Sequence, residues 1–196
     1  LKSCGINKII VVVGKKGDCW NEESFSKIKK ISEKLVYNDK NKKTNNSYSL
    51  LLGLNKLSKN NTIVVDGDLF YSTSFMKNIL ENNDNTLVVT KASSDDHDNN
   101  KVETYRDLVK KIGRNISLDS TSLIYLGVIF INYRLLNTFN KILKKEIYFE
   151  SELSSPLTEI AKKKKVFNYT SSDFCININS KLDLKKAENW LSKNEK

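Results

Sequence analysis

The chain is predicted to be an α/β protein with helices on both sides of a mixed, mostly parallel sheet, and three observations carry that expectation. Residues 8–13 (KIIVVV) and 123–131 (LIYLGVIFI) are continuous apolar runs of strand length, the pattern of strands covered on both faces. Segments with apolar side chains at helical spacing, such as Phe25, Ile28 and Ile31, lie between such runs, so strands and helices alternate as in βαβ units. One proline and seven glycines leave no flexible linker, so residues 1–196 are expected to form a single domain.

The elements follow in order. The run at 8–13 is a strand ending at Gly14. Residues 21–33 form a helix and 35–37 a short second strand. The polar stretch 38–46 (NDKNKKTNN) is a loop, and Ser47 has the chemistry of an N-cap for a helix over 48–57. A third strand at 62–65 ends in Asp66-Gly67-Asp68. A helix at 73–80 and a strand at 86–90 come next. Residues 91–100 (KASSDDHDNN) are a polar surface loop, with a hairpin of 102–105 and 108–112 beside it. The run at 123–131 is the longest and is expected to be a central strand. Helices over 134–144 and 152–163, a strand over 166–169 and a helix over 180–192 complete the chain.

Composition bounds the function. Lysine and arginine number 33 against 23 aspartates and glutamates, a formal charge of +10, which suits phosphate-bearing ligands. The one dense run, 162–165, falls at a helix end, where lysines complement the helix dipole, so neither nucleic acid nor membrane is expected as a partner. No apolar run approaches the ~20 residues that cross a bilayer, and the start has no leader-like pattern, so cytoplasmic location is the expectation. Cys4, Cys19 and Cys175 form no C-x-x-C pair and read as reduced thiols. His97, the only histidine, lies in the polar loop and leaves no nucleophile–histidine pairing to argue from.

Three segments carry candidate chemistry. Asp66-Gly67-Asp68 places two carboxylates at the carboxyl end of a strand, where α/β sheets bind ligands, and oxygen donors there suit Mg2+. Asn45, Asn46 and Ser49 surround a helix start, where amides and free N–H groups can meet a base, a ribose or an anion. Asn177 and Asn179 alternate at a strand end, followed by Ser180-x-x-Asp183, which has the form of a structural capping box.

Taken together, these segments resemble one family: nucleotidyltransferases such as phosphocholine cytidylyltransferase and the sugar-phosphate enzymes. The matching patterns are Gly5 to Gly14, Asn38 with Asn45 to Leu50, the strand ending at Asp68, Tyr125 to Val128, and Ile178 to Leu184. The resemblance implies a Rossmann-like three-layer sandwich of the nucleotide-diphospho-sugar transferase type. It implies transfer of a nucleotidyl group, CMP above all, from a nucleoside triphosphate (CTP favoured) to a phosphorylated acceptor such as phosphocholine or a sugar phosphate. It makes Asp68 the catalytic residue and a Mg2+ ligand, with Asn179 at the second ligand position. Asn45, Asn46, Ser49 and Asp66 become nucleotide-binding residues. It leaves a homo-oligomer open.

The chain also departs from that pattern. Asn179 stands where relatives carry an aspartate, Ile124 where they often carry an acceptor-holding glutamate, and Arg114 where a lysine is common. The family's first strand and Gly-rich phosphate loop have no counterpart, so the chain is expected to be N-terminally truncated and inactive by itself. Two alternatives stand beside this reading. One is a GT-A type glycosyltransferase using Asp66-Gly67-Asp68 as its D-x-D. The other is a degenerate, non-catalytic nucleotide-binding domain.

Overall fold

The nine-residue apolar run is the strand around which the sheet assembles. A computed structural model describes residues 1–14, 21–81, 84–92, 97–119 and 122–194. After a short turn of 3-10 helix at Lys2–Cys4 the elements are β1 (Ile10–Gly14), α1 (Glu22–Ile31), β2 (Lys34–Asn38), α2 (Asn46–Leu54), β3 (Thr62–Val65), β4 (Leu69–Tyr71) and α3 (Thr73–Leu80). They continue with β5 (Thr86–Lys91), β6 (Lys101–Tyr105), β7 (Leu108–Gly113), β8 (Leu123–Ile131) and α4 (Tyr133–Leu143). A 3-10 turn at Glu146–Tyr148 leads to α5 (Ser154–Lys163), β9 (Phe167–Thr170), β10 (Cys175–Asn177) and α6 (Lys181–Asn194).

β8 pairs with β3, β5 and β6, as expected of a central strand. The larger sheet runs β3-β8-β5-β9-β7-β6, and the β6–β8 pairing closes five of those strands into a ring. Alternation along the strands divides the core. Leu87, Val89, Ile129 and Ile131 face a cluster with Leu51, Leu136, Phe139 and Ile160, so α2, α4 and α5 cover one face. Val88, Val128 and Phe130 face Phe75 and Ile79, so α3 covers the other. The expected hairpin is β6–β7, whose turn residues Arg106 and Asp107 both have positive φ, 48° and 61°. That is the twist a two-residue hairpin turn requires.

The expectation of a mostly parallel sheet is corrected. β1–β2 and β5–β9 are parallel, whereas β3–β8, β5–β8, β6–β7, β6–β8, β7–β9 and β10–β4 are antiparallel. A continuous apolar run reports burial on both faces and carries no information about strand direction. A second correction concerns α2, which starts at Asn46 with Asn45 as its N-cap. Ser47 lies inside the helix at 1% exposure, and its hydroxyl is buried without a partner. The expected cap at Ser180 holds: its hydroxyl accepts from the Asp183 N–H at 3.2 Å and donates to the Asp183 carboxylate at 2.7 Å. The α5 helix ends at Lys163, inside the lysine run. Cys19 and part of the polar loop, 93–96, fall outside the described residues.

β1 and β2 form a separate two-stranded sheet. Among the described residues β1 pairs only with β2, and β3 only with β8. Both strands remain partly exposed: β3 is half-buried throughout, and in β1 only Val13 is buried. β5, in the interior of the sheet, is buried over its first four residues.

Candidate functional site

Asp66 and Asp68 leave the end of β3 in opposite senses. Asp66 is half-buried, and its backbone N–H donates to the Gly127 carbonyl at 2.9 Å, continuing the β3–β8 ladder by one residue. Gly67 and Asp68 are exposed. Burial, followed by the charge of Asp68, raises the Asp66 carboxyl to about 6.

Glycine at 127 makes the approach of Asp66 feasible. Gly127 has φ +77°, and a Cβ built there would stand 2.7 Å from the Asp66 carboxylate oxygen. Tyr125, two residues earlier on β8, has a buried hydroxyl without a hydrogen-bond partner. Burial and then the Asp66 charge push that phenol well above its usual range.

The antiparallel β4–β10 pairing brings the distant segment to Asp68. Leu69 lies opposite Asn177, and the next backbone bond runs from the Ile178 N–H to the Asp68 carbonyl at 2.8 Å. Asn179 follows at once and is exposed, like Asp68. The amide oxygen of Asn177 is buried and unpartnered. The candidate site therefore has an exposed pair on neighbouring strand ends, Asp68 and Asn179, and a more buried pair, Asp66 and Tyr125. Residue types alone pointed to the exposed pair. Tyr125 was legible only as a polar ring in an aliphatic strand.

The asparagine segment is packed on β1, β2 and α4. Asn45 caps α2, with its side chain accepting from the Asn46 N–H at 2.7 Å. The Asn46 carboxamide oxygen accepts from the Leu153 N–H at 2.8 Å and ties α2 to the start of α5. The Ser49 hydroxyl accepts at 3.1 Å from buried Asn38, which also holds Thr44. Ile124 is buried in β8, and Arg114 forms an ion pair with Glu152 at 2.8 Å. No group of three or more His, Cys, Asp or Glu side chains is placed to hold a metal among the described residues. No described helix is long and apolar enough to cross a membrane.

The fold is that of the nucleotidyltransferases. The chain is similar to the CTP:phosphocholine cytidylyltransferase of Streptococcus pneumoniae, with 24% identity, 97% of this chain and 81% of that chain covered, and a TM-score of 0.73. It is similar to the inositol-1-phosphate CTP transferase of T. maritima at 20% identity, 97% and 78% coverage and a TM-score of 0.74. A UDP-glucose pyrophosphorylase matches at 12% identity, 100% and 84% coverage and a TM-score of 0.69. The chain itself belongs to the family described as Domain of unknown function (DUF6564), whose model matches residues 1–117. No curated protein matches it significantly.

Proposed function

We propose that this chain is a nucleotidyltransferase domain that transfers a nucleotidyl group, CMP by preference, from a nucleoside triphosphate to a phosphorylated small molecule. The observation that carries the reading is the placement of the Asp66-Gly67-Asp68 turn. It leaves the sheet beside Gly127 and is held across the β4–β10 pairing by the Ile178 N–H, next to Asn179 in the chain. Two of the similar structures are CTP enzymes, which supports cytidine as the base and phosphocholine or another phosphorylated alcohol as the acceptor.

In this reaction an acceptor phosphate oxygen bonds to the α-phosphorus, the bond to the bridging oxygen of the β-phosphate breaks, and pyrophosphate leaves with its electron pair. The donors at the site are oxygens. Asp66 and Asp68 repel each other, and the Asn177 amide oxygen is buried without a partner, so the set fits a hard cation. Asp68 and Asn179 would hold Mg2+, with Asp66 supporting, and the ion would offset charge on the phosphates. Gly127 and the backbone of Ile178 keep the turn in place, so the carboxylates need no reorganisation when the nucleotide arrives.

Among the described residues β1 pairs only with β2 and β3 only with β8, which favours a further strand completing the sheet and with it a triphosphate-binding loop, so the chain alone is expected not to turn over substrate. A second reading, a non-catalytic nucleotide-binding domain, is favoured by the internal hydrogen bonds of Asn46 and Ser49. A D-x-D glycosyltransferase is disfavoured, because Asp66 is tucked against Gly127 and only Asp68 stands open.

Titration calorimetry with CTP and Mg2+ tests the reading. Saturable binding that weakens at least tenfold in Asp68→Ala is expected, and unchanged binding would remove Asp68 from the site. Pyrophosphate release by the chain alone, with any of the four triphosphates and phosphocholine, would overturn its inactivity.

A further inference from the structure

The end of the sheet opposite the Asp66–Asp68 turn carries a basic groove that the proposed reaction does not use. β3 and β8 are antiparallel, with Val65 beside Val128 and Thr62 beside Ile131. Residues that follow Ile131 therefore lie at the far end of β3 from Asp66. There α4 forms one wall of two adjoining recesses. One, of about 330 Å3, is lined by Lys141 from the last turn of α4, Lys145 just beyond that helix, Lys163 at the end of α5 and Lys164 just past it. The other, of about 240 Å3, is lined by Arg134, Lys164, Lys165 and Asp84. Lys164 lines both, so the recesses are neighbours.

The charges are unevenly compensated. Glu159 engages Lys145 and Lys163. Lys141, Lys164 and Lys165 have no carboxylate within ion-pair distance among the described residues. Dipole complementation accounts for Lys141 and Lys163, which sit in the last turns of their helices. It does not account for Lys164 and Lys165. Lys164 is already in extended backbone, and both belong to the connection that runs into β9.

Compact ammonium groups around a recess suit phosphate oxygens, and the larger recess, about 330 Å3, reaches the lower end of the small-molecule range. Two recesses sharing one lysine match consecutive anionic groups of one molecule. We propose that this groove binds a short linear polyphosphate, either free or as the tail of a nucleotide. The proposal is independent of the activity assigned to the other end of the sheet.

The test titrates sodium tripolyphosphate into the chain. Saturable binding is expected, weakened at least tenfold by the pair Lys141→Gln and Lys164→Gln. Both side chains are exposed, so circular dichroism should report an unchanged fold. The charge-matched pair Lys29→Gln and Lys30→Gln, on α1 beside the other sheet, should leave binding unchanged. Equal weakening by the two pairs would reduce the effect to net charge and overturn the site. Absence of saturable binding would overturn it too, as would lysine-dependent binding seen only with anionic phospholipid vesicles or RNA. Titrating ATP into the Asp68→Ala chain distinguishes the sources. Retained, Lys141- and Lys164-dependent binding supports a nucleotide tail, and its loss with tripolyphosphate binding intact supports free polyphosphate.

Discussion

Asp66 and Gly127 meet across the β3–β8 pairing: the aspartate N–H donates to the glycine carbonyl at 2.9 Å, and the aspartate carboxylate fills the space where a Cβ at 127 would lie. One contact thus sets both the backbone and the side chain of the candidate site.

Gly127→Ala should therefore be costly. The substitution forces an L side chain to φ +77° and drives its methyl against the Asp66 carboxylate. A loss of about 2–3 kcal/mol is expected, read as a lower urea midpoint at constant slope. A midpoint unchanged within error would mean that Asp66 can move away freely.

Asp66 should give stability an unusual pH dependence. Its folded value, about 6, lies above the ordinary carboxylate value, so the folded state binds the proton more tightly than the unfolded chain. This group penalises folding above pH 6, and the penalty fades as pH falls toward 4. Asp66→Asn should remove up to about 2 kcal/mol of that penalty at pH 7 and flatten the profile between pH 4 and 7. Glu159 acts with the opposite sign. Lys145, Lys163 and Tyr148 lower its carboxyl to about 2, so its contribution is lost only as pH falls below the usual carboxylate range. Equal slopes in wild type and Asp66→Asn between pH 5 and 7 would show that Asp66 does not titrate there.

Asn46→Ala should destabilise the junction of α2 and α5. It removes the acceptor for the Leu153 N–H, at a cost of about 1–2 kcal/mol. For a chain of this size that lowers the thermal midpoint by roughly 2–8 °C. If CTP affinity falls while the midpoint holds, Asn46 serves the ligand and not the fold.

Trp190 anchors the last helix. It stacks on Phe174 at 5.0 Å, and Phe70 stands edge-on to both rings at 6.0 Å. Trp190→Ala should cost roughly 2 kcal/mol and abolish the near-ultraviolet dichroism of the cluster. Retention of that signal would assign it to other aromatic residues.

Element positions were largely legible because apolar periodicity reports burial directly. The run 123–131 became β8, the hairpin beside the polar loop became β6–β7, and Ser180 caps as its pattern required. Helix boundaries were less so: Ser47 and Asn45 are both competent caps, and only the packing of α2 buries Ser47 and leaves Asn45 to cap. Asp68 and Asn179 were legible as oxygen donors at strand ends. That Asp66 turns inward was not, since its cause, Gly127, lies 61 residues away along the chain.

By itself the sequence determined the alternation of strands and helices, the apolar runs that build the core, and the Asp-Gly-Asp turn with its distant asparagine partner. The tertiary structure alone decided strand direction, the division of the site into an exposed pair and a more buried pair, and the gathering of the lysines beside α4. The physical reason is range. Periodicity and capping act over a few residues, where sequence displays them, whereas pairing direction, burial of a carboxylate and the meeting of remote charges depend on how separate segments are brought together.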